Sequence, residues 1–198
     1  MKKIAQLLFV IMLCSLASLG SAQLTTPNGA MSDQVNVKLA KMNLLLKLIP
    51  LALQKSQYED LLEGIEAARD LQKREAETED KELADLDSLV SDTVTNGVEK
   101  GIYPPQSAIK AVADKLAVME GRQTIMAANM IKAVQAKITK LNAGQRKVMV
   151  GSYLDSFVDP KADKSLITDD VKISFFIKNV FLHPYCYDLL VEMSKHAS

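Results

Sequence analysis

The chain has no tryptophan, and its 198 residues hold 2 cysteines, 2 histidines, 8 glycines, 6 prolines and 5 each of tyrosine and phenylalanine. So few Cys and His residues leave little material for zinc sites, catalytic triads or redox pairs. Sparse Gly and Pro leave long stretches without turn signals, and with the aromatics scarce the core must be aliphatic. Charge of one sign is also missing: 24 Lys and Arg balance 24 Asp and Glu, so no overall positive field recruits nucleic acid. No G-x-S-x-G, phosphate loop, H-E-x-x-H or C-x-x-C occurs, and no catalytic, cofactor-binding or metal-binding set is nominated. The sequence reads as a non-enzyme without cofactor or nucleic-acid partner.

The amino terminus is informative. Lys2 and Lys3 precede an apolar stretch from Ile4 to Leu19, followed by the small residues Gly20, Ser21 and Ala22. That order predicts a secretory signal peptide over 1–22, cut before Gln23. The stretch is shorter than the roughly 20 apolar residues that span a bilayer, so no stable membrane insertion is expected after cleavage, and the location is periplasmic or secreted. The trimmed chain keeps 22 basic and 24 acidic residues, a net charge of −2, and Cys186 as its sole cysteine. No intramolecular disulfide can then form, and packing alone must hold the fold.

Residues 23–33 are small, polar and turn-forming and read as a flexible leader. Val37, Leu39, Leu44, Leu45, Leu48 and Ile49 predict a helix over about 35–49, stopped by Pro50. From Lys55 to Glu99 apolar residues step by three and four, except between Gln72 and Glu82, a stretch expected to be a solvated arm or a bend. A continuous helix here would reach roughly 67 Å at 1.5 Å per residue and would make the molecule elongated. A second long helix is predicted from Pro105 to Leu141, with an apolar seam through Ile109, Val112, Leu116, Met119, Met126 and Met130 and Gln123 as its polar member. The short connection predicts an antiparallel hairpin with Leu86 and Leu116 in its seam. Charge agrees, since residues 71–88 carry seven acids and three bases, whereas 121–154 carry six bases and no acid. Shorter helices follow over about 143–158, from Asp169-Asp170 to Phe181, and after Pro184. The expected fold is all-α: a hairpin domain over 34–158 and a helical extension over 159–198.

His183 and Cys186 have a spacing that suits a metal, but a closed site needs four ligands and only His196 remains among the histidines. Met119, Met126 and Met130 coincide with the apolar seam, and the acids from Glu75 to Asp87 lack the glycine-bent loop of a calcium site. All three groups read as structural.

Two helix starts share a pattern. Leu53-Gln54-Lys55-Ser56-Gln57 and Leu141-Asn142-Ala143-Gly144-Gln145 both fit Leu-polar-x-x-Gln. The leucine can pack back on the helix, the next residue can cap it, and the glutamine can return a bond as in a capping box. Asn142 is a good cap and Gln54 a poor one. With the signal peptide and the hairpin, the pair Leu53/Gln57 and Leu141/Asn142/Gln145 resembles the LTxxQ pattern of the Spy and CpxP family of periplasmic proteins, with Gln54 and Asn142 in place of Thr. The resemblance covers residues 45–158. It implies an ATP-independent chaperone or envelope-stress modulator, shaped as a curved helical cradle that dimerises, with unfolded or envelope proteins as partners. The alternative is a regulatory protein of the same compartment that answers to a metal ion or a dedicated partner, whose site is expected in the 171–190 tail. The client surface is expected at Ile125, Ile131 and Val150, flanked by Lys132, Lys137, Arg146 and Lys147: apolar burial beside sequence-independent positive charge.

Overall fold

The computed structural model describes residues 30–153 and 167–197. The predicted signal peptide over 1–22, most of the expected leader, and Leu154, Phe157 and Val158 of the predicted 143–158 helix lie outside them. The described residues are helical with no strand, so the fold is all-α. In order they form α1 (Ala30–Leu48), a 3-10 turn (Ile49–Leu51), α2 (Lys55–Lys100), α3 (Gln106–Lys137), a second 3-10 turn (Ile138–Lys140), α4 (Ala143–Gly151), α5 (Asp169–Phe176), a π turn (Ile177–Phe181) and α6 (Cys186–Ser194).

Helix α1 starts at Ala30 rather than near residue 35, because nothing between Gly29 and Pro50 interrupts it. Its end is as expected: Pro50 enters the 3-10 turn, and Ala52 closes that turn in the left-handed region at φ 44°. The stretch from Gln72 to Glu82 does not bend. α2 runs through it for 46 residues, since Gln, Lys, Arg, Glu and Ala are good helix formers even with nothing to bury. Gly101, at φ 64°, ends α2, with its N–H on the Gly97 carbonyl and that of Ile102 on Asn96. The Pro105 carbonyl opens α3 by accepting from Ala108 and Ile109. The cap of α5 is Thr168, whose Oγ1 accepts from the Val171 N–H, and not the following aspartates.

The chain divides into two compact units. The first joins the described residues up to Ala68 with those from Met130 onward and holds one aliphatic core. Leu44 and Leu48 of α1, Leu61, Ile65 and Ala68 of α2, Val134 of α3 and Met149 of α4 meet Phe176, Phe181 and Leu190 there. The carboxy-terminal helices thus belong to this core, and the expected boundary at residue 159 divides no compact units. Gly64 lets α2 and α3 approach closely, for a Cβ there would stand 3.1 Å from Lys137 Cγ and 3.2 Å from Val134 Cα. Lys140 pairs with Asp60 at 2.8 Å and Lys137 pairs with Glu63 on the same flank.

The second unit is Arg69–Asn129. Here Leu116 is not the seam residue: it is half exposed, as is Ile109, while Met119 and Ala108 are buried. The less exposed stripe of α2 runs through Leu71, Glu75, Glu79, Glu82, Leu86 and Leu89. That of α3 runs through Val112, Lys115, Met119, Arg122 and Met126. Each face mixes apolar and charged residues. Arg122 bonds the Glu82 carboxylate and lies 3.4 Å from Glu75, and Lys115 lies 3.6 Å from Glu82. The polar member of this face is therefore Arg122, and Gln123 is exposed. Arg122 is held charged by its bond to Glu82, and the same bond keeps the Glu82 carboxyl below its usual range.

Candidate functional site

The two Leu-polar-x-x-Gln segments meet inside the first unit. Leu53 and Leu141 are both buried at the starts of their helices. At Asn142 the capping box is complete: its Oδ1 accepts from the Gln145 N–H and its own N–H donates to Gln145 Oε1, both at 2.9 Å. At Gln54 only the returning half is present, the Gln54 N–H donating to Gln57 Oε1 at 3.0 Å. This is the difference expected between a good cap and a poor one.

The amides of Gln57 and Gln145 also bind one another. Gln145 Nε2 donates to Gln57 Oε1 at 2.9 Å, and Gln57 Nε2 donates to Gln145 Oε1 at 3.2 Å. Each amide then reaches a backbone carbonyl at the end of the other's preceding 3-10 turn: Gln145 Nε2 to Leu51 O at 3.0 Å, Gln57 Nε2 to Lys140 O at 3.4 Å. The arrangement repeats about an approximate two-fold relation, 3-10 turn, Leu-polar-x-x-Gln, helix. Each side-chain oxygen accepts twice and each NH₂ donates twice, so both amides are saturated. A saturated pair with Gln145 buried is a structural lock rather than a reactive centre. The sequence located both glutamines but carried no signal that they touch.

The expected client residues separate. Ile125 is 57% exposed, but Ile131 is 6% exposed and belongs to the core, as does half-buried Val150. Ile131 falls on the same face as Val134 and Ile138, which a count of apolar spacing could have indicated. Lys137 is engaged by Glu63, and Arg146 is folded back onto the Leu141 and Thr139 carbonyls, each at 3.2 Å. Lys132 and Lys147 are exposed.

The more extensive apolar surface lies within Arg69–Asn129 and was missed. Leu83, Val90, Val94 and Val98 on α2 and Ile109, Leu116, Val118 and Ile125 on α3 are all exposed. Steps of seven and four place the α2 group along one side of that helix, away from the stripe that carries Glu75 and Glu82. A shallow cleft of about 140 Å³ lies beside Ile125, lined by Leu71, Glu75, Arg122, Met126 and Asn129.

In the 171–190 tail Ile173, Phe176, Ile177, Val180, Phe181, Cys186 and Leu190 are buried in the core. The Cys186 thiol, inside the core, is not placed to link two chains. His183 Nδ1 accepts from the Tyr185 N–H at 3.3 Å, and burial, with Lys47 nearby, holds its pKa below the usual imidazole value. Among the described residues no three of His, Cys, Asp and Glu converge as a metal site requires, and no helix is long and apolar enough to cross a membrane. No family model, curated protein or solved structure matches the chain.

Proposed function

We propose that the protein is a non-catalytic binding protein of the periplasm that holds partly unfolded envelope proteins without ATP, with α2 and α3 paired as an antiparallel hairpin whose exposed sides carry the client. The observation that supports this reading is the apolar surface of Arg69–Asn129, where eight aliphatic side chains between 38% and 81% exposed alternate with charge. Scattered single apolar residues need no explanation, but aliphatic residues at helical spacing along a charged helix suit a client held weakly and without sequence preference. The Leu-polar-x-x-Gln pair supports it through the family resemblance. The client residues are then Ile125 with Leu116, Val118 and Val94, all within Arg69–Asn129.

The test adds the purified chain to an aggregating client without ATP, at low and high salt. Suppressed light scattering, weakened by Val94→Ser with Ile125→Ser while the helix content by circular dichroism stays constant, is the expected result. No suppression at several-fold molar excess would abandon client holding and favour a regulator with one dedicated partner.

A further inference from the structure

Helix α1 is apolar on two opposite sides. Leu44 and Leu48 enter the core, while Val35, Leu39, Met42, Leu46 and Ile49, the last in the 3-10 turn, stand between 47% and 67% exposed. At about 100° per residue the exposed five fall within an arc of roughly 80°, on the side opposite Leu44 and Leu48. They form an outward ridge that runs about 21 Å from Val35 to Ile49. The charge beside the ridge has one sign. Between Asp33 and Glu59 the chain carries Lys38, Lys41, Lys47 and Lys55 and no acid. Lys38 is exposed at one border of the ridge, and Lys47 is half-buried beyond the other. Neither pairs with an acid among the described residues. Lys41 is turned toward the Tyr185 ring, 6.0 Å from its centre.

We propose that α1 docks the protein on an anionic bilayer surface, with the ridge seated among the upper acyl chains and the lysines reaching lipid phosphates. Charge complementarity favours this occupant. An apolar face bordered by lysines and free of acids is the arrangement of a helix that lies in the membrane interface, where each lysine adds attraction to anionic lipid and its stem lies along the apolar boundary. Shape agrees with it. A convex ridge asks a protein partner for a matching groove, whereas a fluid bilayer closes around it. With its other side in the core, α1 lies along the surface and does not cross it. The docking does not depend on client holding, since none of its residues belongs to Arg69–Asn129.

The test is co-sedimentation of the trimmed chain with vesicles of phosphatidylcholine alone or of phosphatidylcholine and phosphatidylglycerol in equal parts. Binding to the mixed vesicles alone is expected, weakened by salt. Lys38→Gln should lower the affinity about five-fold, and Leu39→Gln combined with Leu46→Gln about ten-fold or more. Because both leucines are exposed and glutamine is nearly as good a helix former, the double variant should keep its helix signal and melting temperature. A second readout uses the otherwise native chain. The sequence has no tryptophan, so Met42→Trp places a single reporter on the ridge, and its emission should shift to the blue with mixed vesicles only. Equal binding to both vesicle types, binding that the double variant retains in full, or an emission that the vesicles leave unchanged would each overturn the proposal. An emission that shifts with protein concentration in the absence of lipid would overturn it too, by placing protein on the ridge instead.

Discussion

Gly64 and Val134 approach so closely that a Cβ on Gly64 would stand 3.2 Å from the Val134 Cα, a backbone atom that cannot turn aside. Gly121, in the middle of α3, has nothing within 4 Å of the same position. The two glycines therefore respond oppositely to alanine. Gly121→Ala is expected to stabilise by about 0.5–1 kcal/mol, the helix-interior difference between the residues. Gly64→Ala gains the same propensity but overpacks the crossing at about 1–3 kcal/mol, for a net loss of about 1 kcal/mol. Urea unfolding of both variants decides it, and a gain at Gly64 would mean that α2 and α3 lie further apart than described.

The paired amides call for a double-mutant cycle. Gln145→Ala removes bonds to Gln57, Leu51 and the Asn142 N–H, and is expected to cost about 2–4 kcal/mol because several buried groups lose partners. Gln57→Ala, at a half-buried site, should cost less. Their coupling should be about 1–2 kcal/mol, as for residues in one network. Additive losses would show that each glutamine serves only its own helix cap.

Met119 and Leu116 distinguish the observed register from the one that apolar spacing suggested. Met119→Ala, at a buried position, should cost about 2–4 kcal/mol, and Leu116→Ala less than about 1 kcal/mol. Equal costs by thermal unfolding would contradict the charged interface seen here.

Acid should weaken the Arg69–Asn129 unit through Glu82. Its carboxyl is held below the ordinary range first by the hydrogen bond from Arg122, then by the charges of Arg122 and Lys115. A carboxyl with a depressed folded pKa contributes its full stability above the unfolded value and loses it as pH falls through the folded one, here from about pH 5 downward. Protection factors of α2 amides near Leu86, taken relative to the slower intrinsic exchange in acid, should fall over that range, and Glu82→Gln should flatten the change. An unaltered pH profile in that variant would remove Glu82 as the cause.

Much of the element order was legible because punctuation is local. Pro50, Pro104-Pro105 and Asn142 stop or start helices through their own backbone chemistry, whatever lies around them. The buried positions Leu44, Leu48 and Met119 were legible from spacing alone. The faces of the long helices were not. Counting apolar residues treats Glu75, Glu82, Lys115 and Arg122 as solvent-facing, yet these side chains cover the packed stripes with their stems and neutralise one another at the tips. That displaced Leu116 and left Val94 and Val98 outside. Ile131 failed differently: it was expected to point away from the hairpin seam, yet steps of three and four place it on the core face with Val134 and Ile138, and the one-residue step to Lys132 turns the helix by about 100°. The meeting of Gln57 with Gln145 across 88 positions has no local signature.

The first unit is interrupted in sequence by the whole of Arg69–Asn129. Leu44 and Leu48, on one side of that insertion, share their core with Phe176, Phe181 and Leu190 on the other. Such long-range closure delays folding until distant segments are both present. A growing chain can wind α1 and α2 early, but its core has no floor until the last helix has been made. A chain cut just before Cys186 would carry every long helix and still leave that core open, so its final thirteen residues decide whether the earlier ones settle.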